Sequence, residues 1–294
     1  MLQDYQRQWG VEQWAEFLTA QDIPCMPRSK TILLALEELQ GEELSAADLT
    51  ALITGDPFLC LRLLREAEKR RSQRLGHETT TPLGAVMQVG LAAFRRLVLE
   101  SPETTADNLG LAAVEGRAVM ASQIAQMWGR ARADVAPDEV AMAALLAEIG
   151  EMLLWNFAPE LPRSSQAALA HGAAAECAQA QELACGFRFR ELSLRCAELW
   201  NLPRLLIQLI RGVDNVRANL CQLYLDTARH LARAPDDPAL REDLALAHQL
   251  IPRASLPWLA AHMIGLDEEQ QASLVDATEQ LLAERTSPCL SAPA

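Results

Sequence analysis

The sequence has 294 residues, 50% of them hydrophobic and 5% aromatic, and its formal net charge is −13. Strand-forming residues are sparse beside Ala, Leu, Glu, Gln and Arg, which predicts a folded, all-α protein. The acidic balance and the lack of a long basic stretch argue against nucleic acid as a partner.

The composition also bears on localisation. Residues 1–5 contain neither the basic segment nor the apolar core of a signal peptide. Charged residues are expected to interrupt each apolar run well before the about 20 residues that a membrane span requires. The seven cysteines include no Cys-x-x-Cys pair, and a scattered odd number indicates reduced thiols. We therefore expect a cytoplasmic protein that has no membrane partner.

The first half of the chain predicts short helices separated by proline and glycine. The two prolines of Ile23-Pro24-Cys25-Met26-Pro27 impose an extended entry to a helix that contains residues 32–39. Ser45 is the predicted N-cap of a helix over 45–53. Asp56 is the predicted N-cap of the next helix, with Pro57 at its first position, and a polar loop is expected over 70–81.

The rest of the chain predicts further helices and one linker. A polar linker over 101–110 is expected, and a single helix that begins near residues 134–138 is expected to carry Glu148. The other predicted helices cover 82–89 and 91–99 on either side of Gly90, 117–128, 190–200, and 215–284 with breaks at 235–238, 252 and 257.

Several segments, in this order and spacing, together resemble the HDOD family, an HD-related output domain of bacterial signalling proteins. They are Ile23-Pro24-Cys25-Met26-Pro27, the Asp56-Pro57 helix pair, 81–90 with Leu97-Val98-Leu99, Ala147-Glu148-Ile149-Gly150, and Glu198-Leu199-Trp200-Asn201-Leu202-Pro203. The resemblance covers about residues 13–215 and implies short N-terminal helices packed against a degenerate HD-like helical bundle. Residues 216–285 would extend that bundle, and 286–294 would form a flexible tail.

The same resemblance implies a regulatory role. It predicts a non-catalytic module of bacterial signal transduction that binds a protein partner or a small signalling ligand in a cleft between its two halves. Fold resemblance alone does not fix a function. A homo-oligomer is an open alternative for the assembly of the chain.

The stretch Ala147-Glu148-Ile149-Gly150 resembles the metal motif of HD-superfamily phosphohydrolases, in which a His-Asp pair binds the metal. Alanine has no lone pair to donate, and a stable divalent site needs several protein ligands. On the resemblance, Arg117 falls where many relatives keep a His, and Val213-Asp214 falls where metal-competent relatives have two. Asp226 falls at the last metal-binding Asp of the enzymes. We therefore predict no catalytic residue, no metal and no cofactor.

An HD-like fold would bring Arg117, Glu148 and Asp226 together, and a guanidinium between two carboxylates would then fill the space of the metal. The plainer interpretation leaves the three as separate surface residues. Two other functions stay open. One is a divergent phosphohydrolase that binds magnesium or manganese through Glu148, Asp214 and Asp226, and the other is a nucleotide second-messenger sensor without catalysis.

A basic cluster is the local exception to the acidic composition. Its members are Arg62, Arg65, Lys69, Arg70, Arg71 and Arg74. Such a cluster suits an acidic protein partner or a phosphorylated ligand. The plainer interpretation is a solvated helix end, where cations also complement the helix dipole.

Overall fold

The computed structural model describes residues 3–74, 78–212 and 215–286, and within them every regular element is a helix. Val213-Asp214 and 287–294, most of the predicted tail, lie outside these ranges. Two 3-10 helices cover Asp4–Gln8 and Gly41–Glu43. The α-helices are α1 (Val11–Thr19), α2 (Pro27–Gln40), α3 (Thr50–Thr54), α4 (Pro57–Arg74), α5 (Pro82–Val89), α6 (Leu91–Leu99), α7 (Leu109–Gly129), α8 (Pro137–Leu146), α9 (Ile149–Phe157), α10 (Glu160–Ala170), α11 (Cys177–Cys185), α12 (Phe189–Leu199), α13 (Arg204–Arg211), α14 (Val216–Arg233), α15 (Leu240–Leu250), α16 (Leu256–Ala261) and α17 (Glu268–Thr286).

Asp56 connects the beginnings of two N-terminal helices. Its Oδ1 accepts the backbone N–H of Leu59 at 3.0 Å, which is the predicted N-cap of α4. Its Oδ2 accepts the backbone N–H of Met26 at 2.7 Å and the hydroxyl of Ser29 at 2.6 Å, both at the beginning of α2. The side chain is fully buried. One carboxylate therefore satisfies buried donors from two helices and fixes their relative position.

Two predicted helix boundaries in the first half are wrong. The helix expected over 45–53 begins only at Thr50, because Ser45 and Asp48 close a separate turn in which Asp48 Oδ2 accepts the N–H of Ser45 at 2.8 Å. α4 continues to Arg74 through the region predicted as loop, and Glu66 and Arg70 form an i,i+4 pair at 2.9 Å on it.

The helix expected over 117–128 begins eight positions earlier, at Leu109, within the predicted linker. Asn108 Oδ1 accepts the N–H of Leu111 at 3.1 Å, and Asn108 Nδ2 donates to the carbonyl of Trp155 at 2.8 Å. A cap held by a distant helix therefore extends α7 beyond what the local sequence indicates.

The second half is a bundle around α7, which packs against α8, α9 and α14. α9 also packs against α10 and α12, and α14 leads to α15, which contacts α16 and α17. Trp128 of α7 is fully buried, and its Nε1 donates to the carbonyl of Leu259 at 3.1 Å. The C-terminal helices thus share the hydrophobic core of the bundle.

Glu148 lies between two helices and not within a single one, contrary to the prediction. α8 ends at Leu146, and Glu148 has the backbone angles φ −99° and ψ 16° at the N-cap of α9. Gly150, two positions later, contacts α12 closely, and its N–H donates to Ser193 Oγ at 2.9 Å. A Cβ on Gly150 would lie 2.7 Å from the Ser193 nitrogen and 2.8 Å from the Phe189 carbonyl. A side chain at position 150 would therefore separate α9 from α12.

The apolar segment Pro137–Phe157 is longer than predicted, because charged residues were expected to interrupt every apolar run well before about 20 residues. It comprises 21 residues, and its most apolar 18-residue window has a mean hydropathy of 1.4. Among the described residues, this segment therefore meets the length and composition of a membrane span. However, 83% of that window is buried inside the protein. Its apolar character is accounted for by the core that it helps to form.

The two halves of the chain are joined by contacts across their boundary. α1 packs against α12, and Trp200 Nε1 donates to the carbonyl of Thr19 at 3.4 Å. The guanidinium of Arg65 lies 4.9 Å from the centroid of the Trp200 ring. Thr80 Oγ1 donates to Glu139 Oε1 at 2.8 Å. The N-terminal helices are therefore attached to the bundle by polar and aromatic contacts.

Candidate functional site

Glu148 is the centre of an ion network within the bundle. Its Oε2 accepts Nε of Arg117 from α7 at 3.3 Å, and its Oε1 accepts Nε of Arg229 from α14 at 3.0 Å. Arg117 also donates through Nη2 to Glu151 on α9 at 3.3 Å. The Glu148 residue is only 7% exposed. A buried carboxylate is thus held by guanidinium groups from two different helices.

Asp226 joins this network through Arg229. Arg229 Nη1 donates to Asp226 Oδ1 at 2.8 Å, three residues away on α14. Gln222 Nε2 lies 3.0 Å from each of the two Asp226 oxygens. The Asp226 side chain is 38% exposed, so this end of the network is open to solvent.

The network differs from the three-residue arrangement that the sequence suggested. The structure places Arg117 against Glu148, but Arg229 and not Arg117 connects Glu148 to Asp226. Sequence reasoning missed both Arg229 and Glu151. Each lies three positions after a predicted site residue, which is a spacing that brings side chains to one helix face. That spacing was the available signal.

The electrostatics of the network follow from its burial and its charges. Burial raises the pKa of Glu151 above its usual value, and the nearby charge of Glu148 adds to this effect against the opposing charge of Arg117. Burial acts to lower the pKa of Arg117 and of Arg229, but the carboxylates beside them outweigh it and raise both values. The fold thus keeps both guanidinium groups charged beside Glu148 and holds the proton of Glu151 more tightly than usual.

These residues do not suit the divalent metal that an HD-like fold implies. Guanidinium groups contact both oxygens of Glu148, and each would repel a dication. Ala147, which the resemblance places at the His position of the motif, supplies no ligand. Across 3–74, 78–212 and 215–286, no group of three His, Cys, Asp or Glu side chains is arranged to hold a metal ion. We therefore derive no chemistry through a metal.

A cleft of about 650 Å³ opens beside the network. Its lining residues all fall between Arg117 and Arg233, so it lies inside the second half and not between the halves, where we expected the ligand cleft. The lining includes Arg117, Glu148, Glu151 and Arg229 of the network. The wall beyond the network includes the following residues from α10 to α14 and the turn before α12: Ser165, Gln166, Leu169, Gln181, Arg188, Phe189, Arg190, Ile210, Leu225 and Arg233.

The basic cluster on α4 is largely engaged within the protein. The partners of Arg62, Arg65, Arg70 and Arg71 are Asp22, the ring of Trp200, Glu66 and Glu68, respectively. The side chain of Arg74 lies outside the described part, and Lys69 also has an interaction partner. A partner-binding surface at this cluster stays a prediction.

The fold and the site define a helical HD-like protein in which an arginine–carboxylate network stands at the metal motif. The chain belongs to the HDOD domain family, whose sequence profile matches residues 24–216. The matched region confirms the resemblance that the sequence segments carried.

Solved structures with the same fold include two bacterial proteins. The MmoQ response regulator from Methylococcus capsulatus str. Bath is 21% identical, with a TM-score of 0.63 over 87% of this chain and 99% of that chain. A virulence factor (cj0248) from Campylobacter jejuni subsp. jejuni is 16% identical, with a TM-score of 0.67 over 93% of this chain and 99% of that one. These identities show a shared fold alone. No curated protein matches the sequence.

Proposed function

We propose that this protein is a non-catalytic regulatory module of bacterial signal transduction. The observation that carries the proposal is the pairing of Glu148 with Arg117 and Arg229 at the position of the HD metal motif. Membership of the HDOD family and the similarity to a protein described as a response regulator support a signalling role.

The same pairing supports the proposed lack of hydrolysis. Metal-dependent phosphohydrolysis needs an ion that lowers the pKa of a bound water and stabilises the developing charge. A divergent enzyme would have to bind this ion through Glu148, Asp226 and Asp214. Glu148 and Asp226 are both hydrogen-bonded to Arg229, and Asp214 lies outside the described residues. Metal binding would therefore require Arg229 to leave two carboxylates.

The cleft beside the network favours a small ligand as the signal. Ligand sites are typically concave and enclose about 300–1,000 Å³, a range that includes this cleft. A protein partner at another surface is the alternative. Cytoplasmic localisation is a prediction of the same proposal, and assembly into a homo-oligomer stays an open alternative.

The test is metal content and turnover of protein that is purified without chelator. We expect far less than one equivalent of manganese, iron, zinc or magnesium by mass spectrometry. With added Mn²⁺, we also expect no hydrolysis of bis(p-nitrophenyl) phosphate or p-nitrophenyl phosphate above the buffer rate. The matched control is Glu148→Gln purified in parallel, because a contaminating enzyme would be unaffected by that substitution. Stoichiometric metal together with turnover that Glu148→Gln abolishes would refute the proposal.

A further inference from the structure

The cleft has an excess of cationic side chains although the whole chain carries a net charge of −13. Five arginines line it, against the two carboxylates of Glu148 and Glu151. Arg117 and Arg229 are held by the network. A concave surface lined by one sign of charge attracts ligands of the opposite sign. The cleft is therefore suited to an anion.

The three arginines outside the network are not equivalent. Arg188 pairs with Glu182 at 2.6 Å, and Arg233 pairs with Asp237 at 2.8 Å. Their charges are therefore matched by carboxylates of the protein itself. These carboxylate partners compete with any ligand for both guanidinium groups.

Arg190 lacks such a match among the described residues. Its guanidinium donates to the backbone carbonyl of Ile210, through Nε at 3.2 Å and through Nη2 at 2.9 Å. Within the described part of the chain, no carboxylate lies within ion-pair distance of Arg190. The carbonyl orients the planar group at the cleft, and no carboxylate of the described residues balances its positive charge. A guanidinium held in this way is a donor for a carboxylate or a phosphate.

The rest of the cleft wall indicates the body of the ligand. Aliphatic residues line the wall from separate helices, with Leu169 on α10, Ile210 on α13 and Leu225 on α14. Leu169 is the most exposed of the three, and Ile210 and Leu225 lie at the base of the wall. Phe189 is the one aromatic residue in this lining. A purine or pyrimidine would therefore find little ring surface on which to stack. An aliphatic body fits this wall better.

We propose that the cleft binds a small amphipathic anion, with a carboxylate or phosphate head group on Arg190 and an aliphatic body against Leu169, Ile210 and Leu225. This inference deepens the proposed function because it names the ligand class for the same regulatory cleft. It depends on neither the metal content nor the turnover of the protein.

The probes are octanoate and octyl phosphate, titrated into the full chain by isothermal calorimetry. Inorganic phosphate supplies the head group alone, and octanol supplies the body alone. We expect saturable binding of at least one amphipathic probe, at least tenfold tighter than either fragment, because one site would hold both parts at once. Adenosine monophosphate tests whether the cleft prefers a nucleotide.

Two variants separate the two parts of the site. Arg190→Gln removes the charge, and we expect affinity for the amphipathic probe to fall about tenfold or more. Ala178→Trp, on the α11 wall of the cleft, fills the space of the aliphatic body and should abolish binding while Arg190 stays in place. The matched control is Arg95→Gln, which should bind like the wild type. Arg95 lies on α6, away from the cleft, and its guanidinium pairs with Glu37 of α2 at 2.8 Å.

Circular dichroism establishes that each variant is folded, and Ala178→Trp keeps the test decisive if Arg190→Gln fails to fold. The inference is overturned if neither amphipathic probe binds saturably, or if the folded variants bind as tightly as the wild type. Tighter binding of adenosine monophosphate than of both octyl probes would overturn the aliphatic assignment. None of these outcomes affects the proposal that the protein is non-catalytic, which the metal and turnover measurements decide.

Discussion

Arg229 contacts Glu148 through two nitrogens, Nε and Nη2, each 3.0 Å from the same carboxylate oxygen. The two residues are 81 positions apart in the sequence. The contact connects α14 to the junction of α8 and α9, where the resemblance places the metal motif of HD enzymes. A guanidinium of fixed charge can hold this junction together without an ion from solution.

Removal of the Glu148 charge should destabilise the fold. Glu148→Gln leaves Arg117 and Arg229 without their shared carboxylate, and we expect the free energy of unfolding to fall by about 2 kcal/mol. This value is below the about 3–5 kcal/mol expected for a fully buried pair because Arg229 is 42% exposed. Urea denaturation followed by circular dichroism measures the loss.

The matched control for Glu148→Gln is Asp226→Asn, at the solvent-exposed end of the same network. We expect that change to cost less than about 1 kcal/mol. Equal losses for the two variants would show that burial of Glu148 does not set the strength of the network.

Glu151 should make stability depend on pH. Its pKa is raised in the folded protein above the ordinary value of 4.5, so the folded state holds this proton more tightly than the unfolded chain does. The contribution of Glu151 to stability is therefore largest at low pH and declines as the pH rises from 4.5 through the raised pKa. Glu151→Gln removes this titration and should gain stability relative to the wild type across the same interval.

The measurement is the difference in unfolding free energy between Glu151→Gln and the wild type in a series of buffers above and below pH 4.5. Burial also raises the pKa of Asp243, but that residue is present in both proteins and cancels in the difference. A difference that is constant with pH, or that shifts in favour of the wild type as pH rises, would contradict the prediction.

Gly150 should tolerate no side chain. Gly150→Ala places a methyl group against the α12 backbone, and we expect a loss of about 1–3 kcal/mol from overpacking. Gly116→Ala is the matched control, because Gly116 lies in α7 with no atom near the added Cβ. Alanine there should stabilise the helix by about 0.5–1 kcal/mol. Thermal unfolding of both variants tests the opposite signs, and a stabilised Gly150→Ala would disprove the close packing of α9 on α12.

The buried Asp56 should be essential for the N-terminal helices. Asp56→Ala leaves the N–H groups of Met26 and Leu59 and the hydroxyl of Ser29 without their acceptor, and we expect a loss of about 3 kcal/mol. Asp48→Ala removes a carboxylate that accepts from Ser45 at the exposed surface, and it should cost much less. Chemical denaturation compares the two, and similar losses would show that Asp56 acts only as a local cap.

The local sequence predicted much of the fold because its signals act within a few residues. The Asp56-Pro57 start of α4 and the break at Gly90, whose φ is 84°, are confirmed. The all-α class and the family also followed from residues alone. The beginning of α7 did not, because Asn108 is held by the carbonyl of Trp155, which is distant in the sequence.

The sequence by itself determined the helical class and the loss of the His-Asp pair at Ala147-Glu148, since propensity, capping and the identity of a metal ligand are properties of single residues and short segments. Only the tertiary structure decided that Arg229 and not Arg117 bridges Glu148 to Asp226, and that the cleft lies inside the second half. These features join side chains from helices far apart in the chain. Their distances depend on how the whole core packs, which no local pattern specifies.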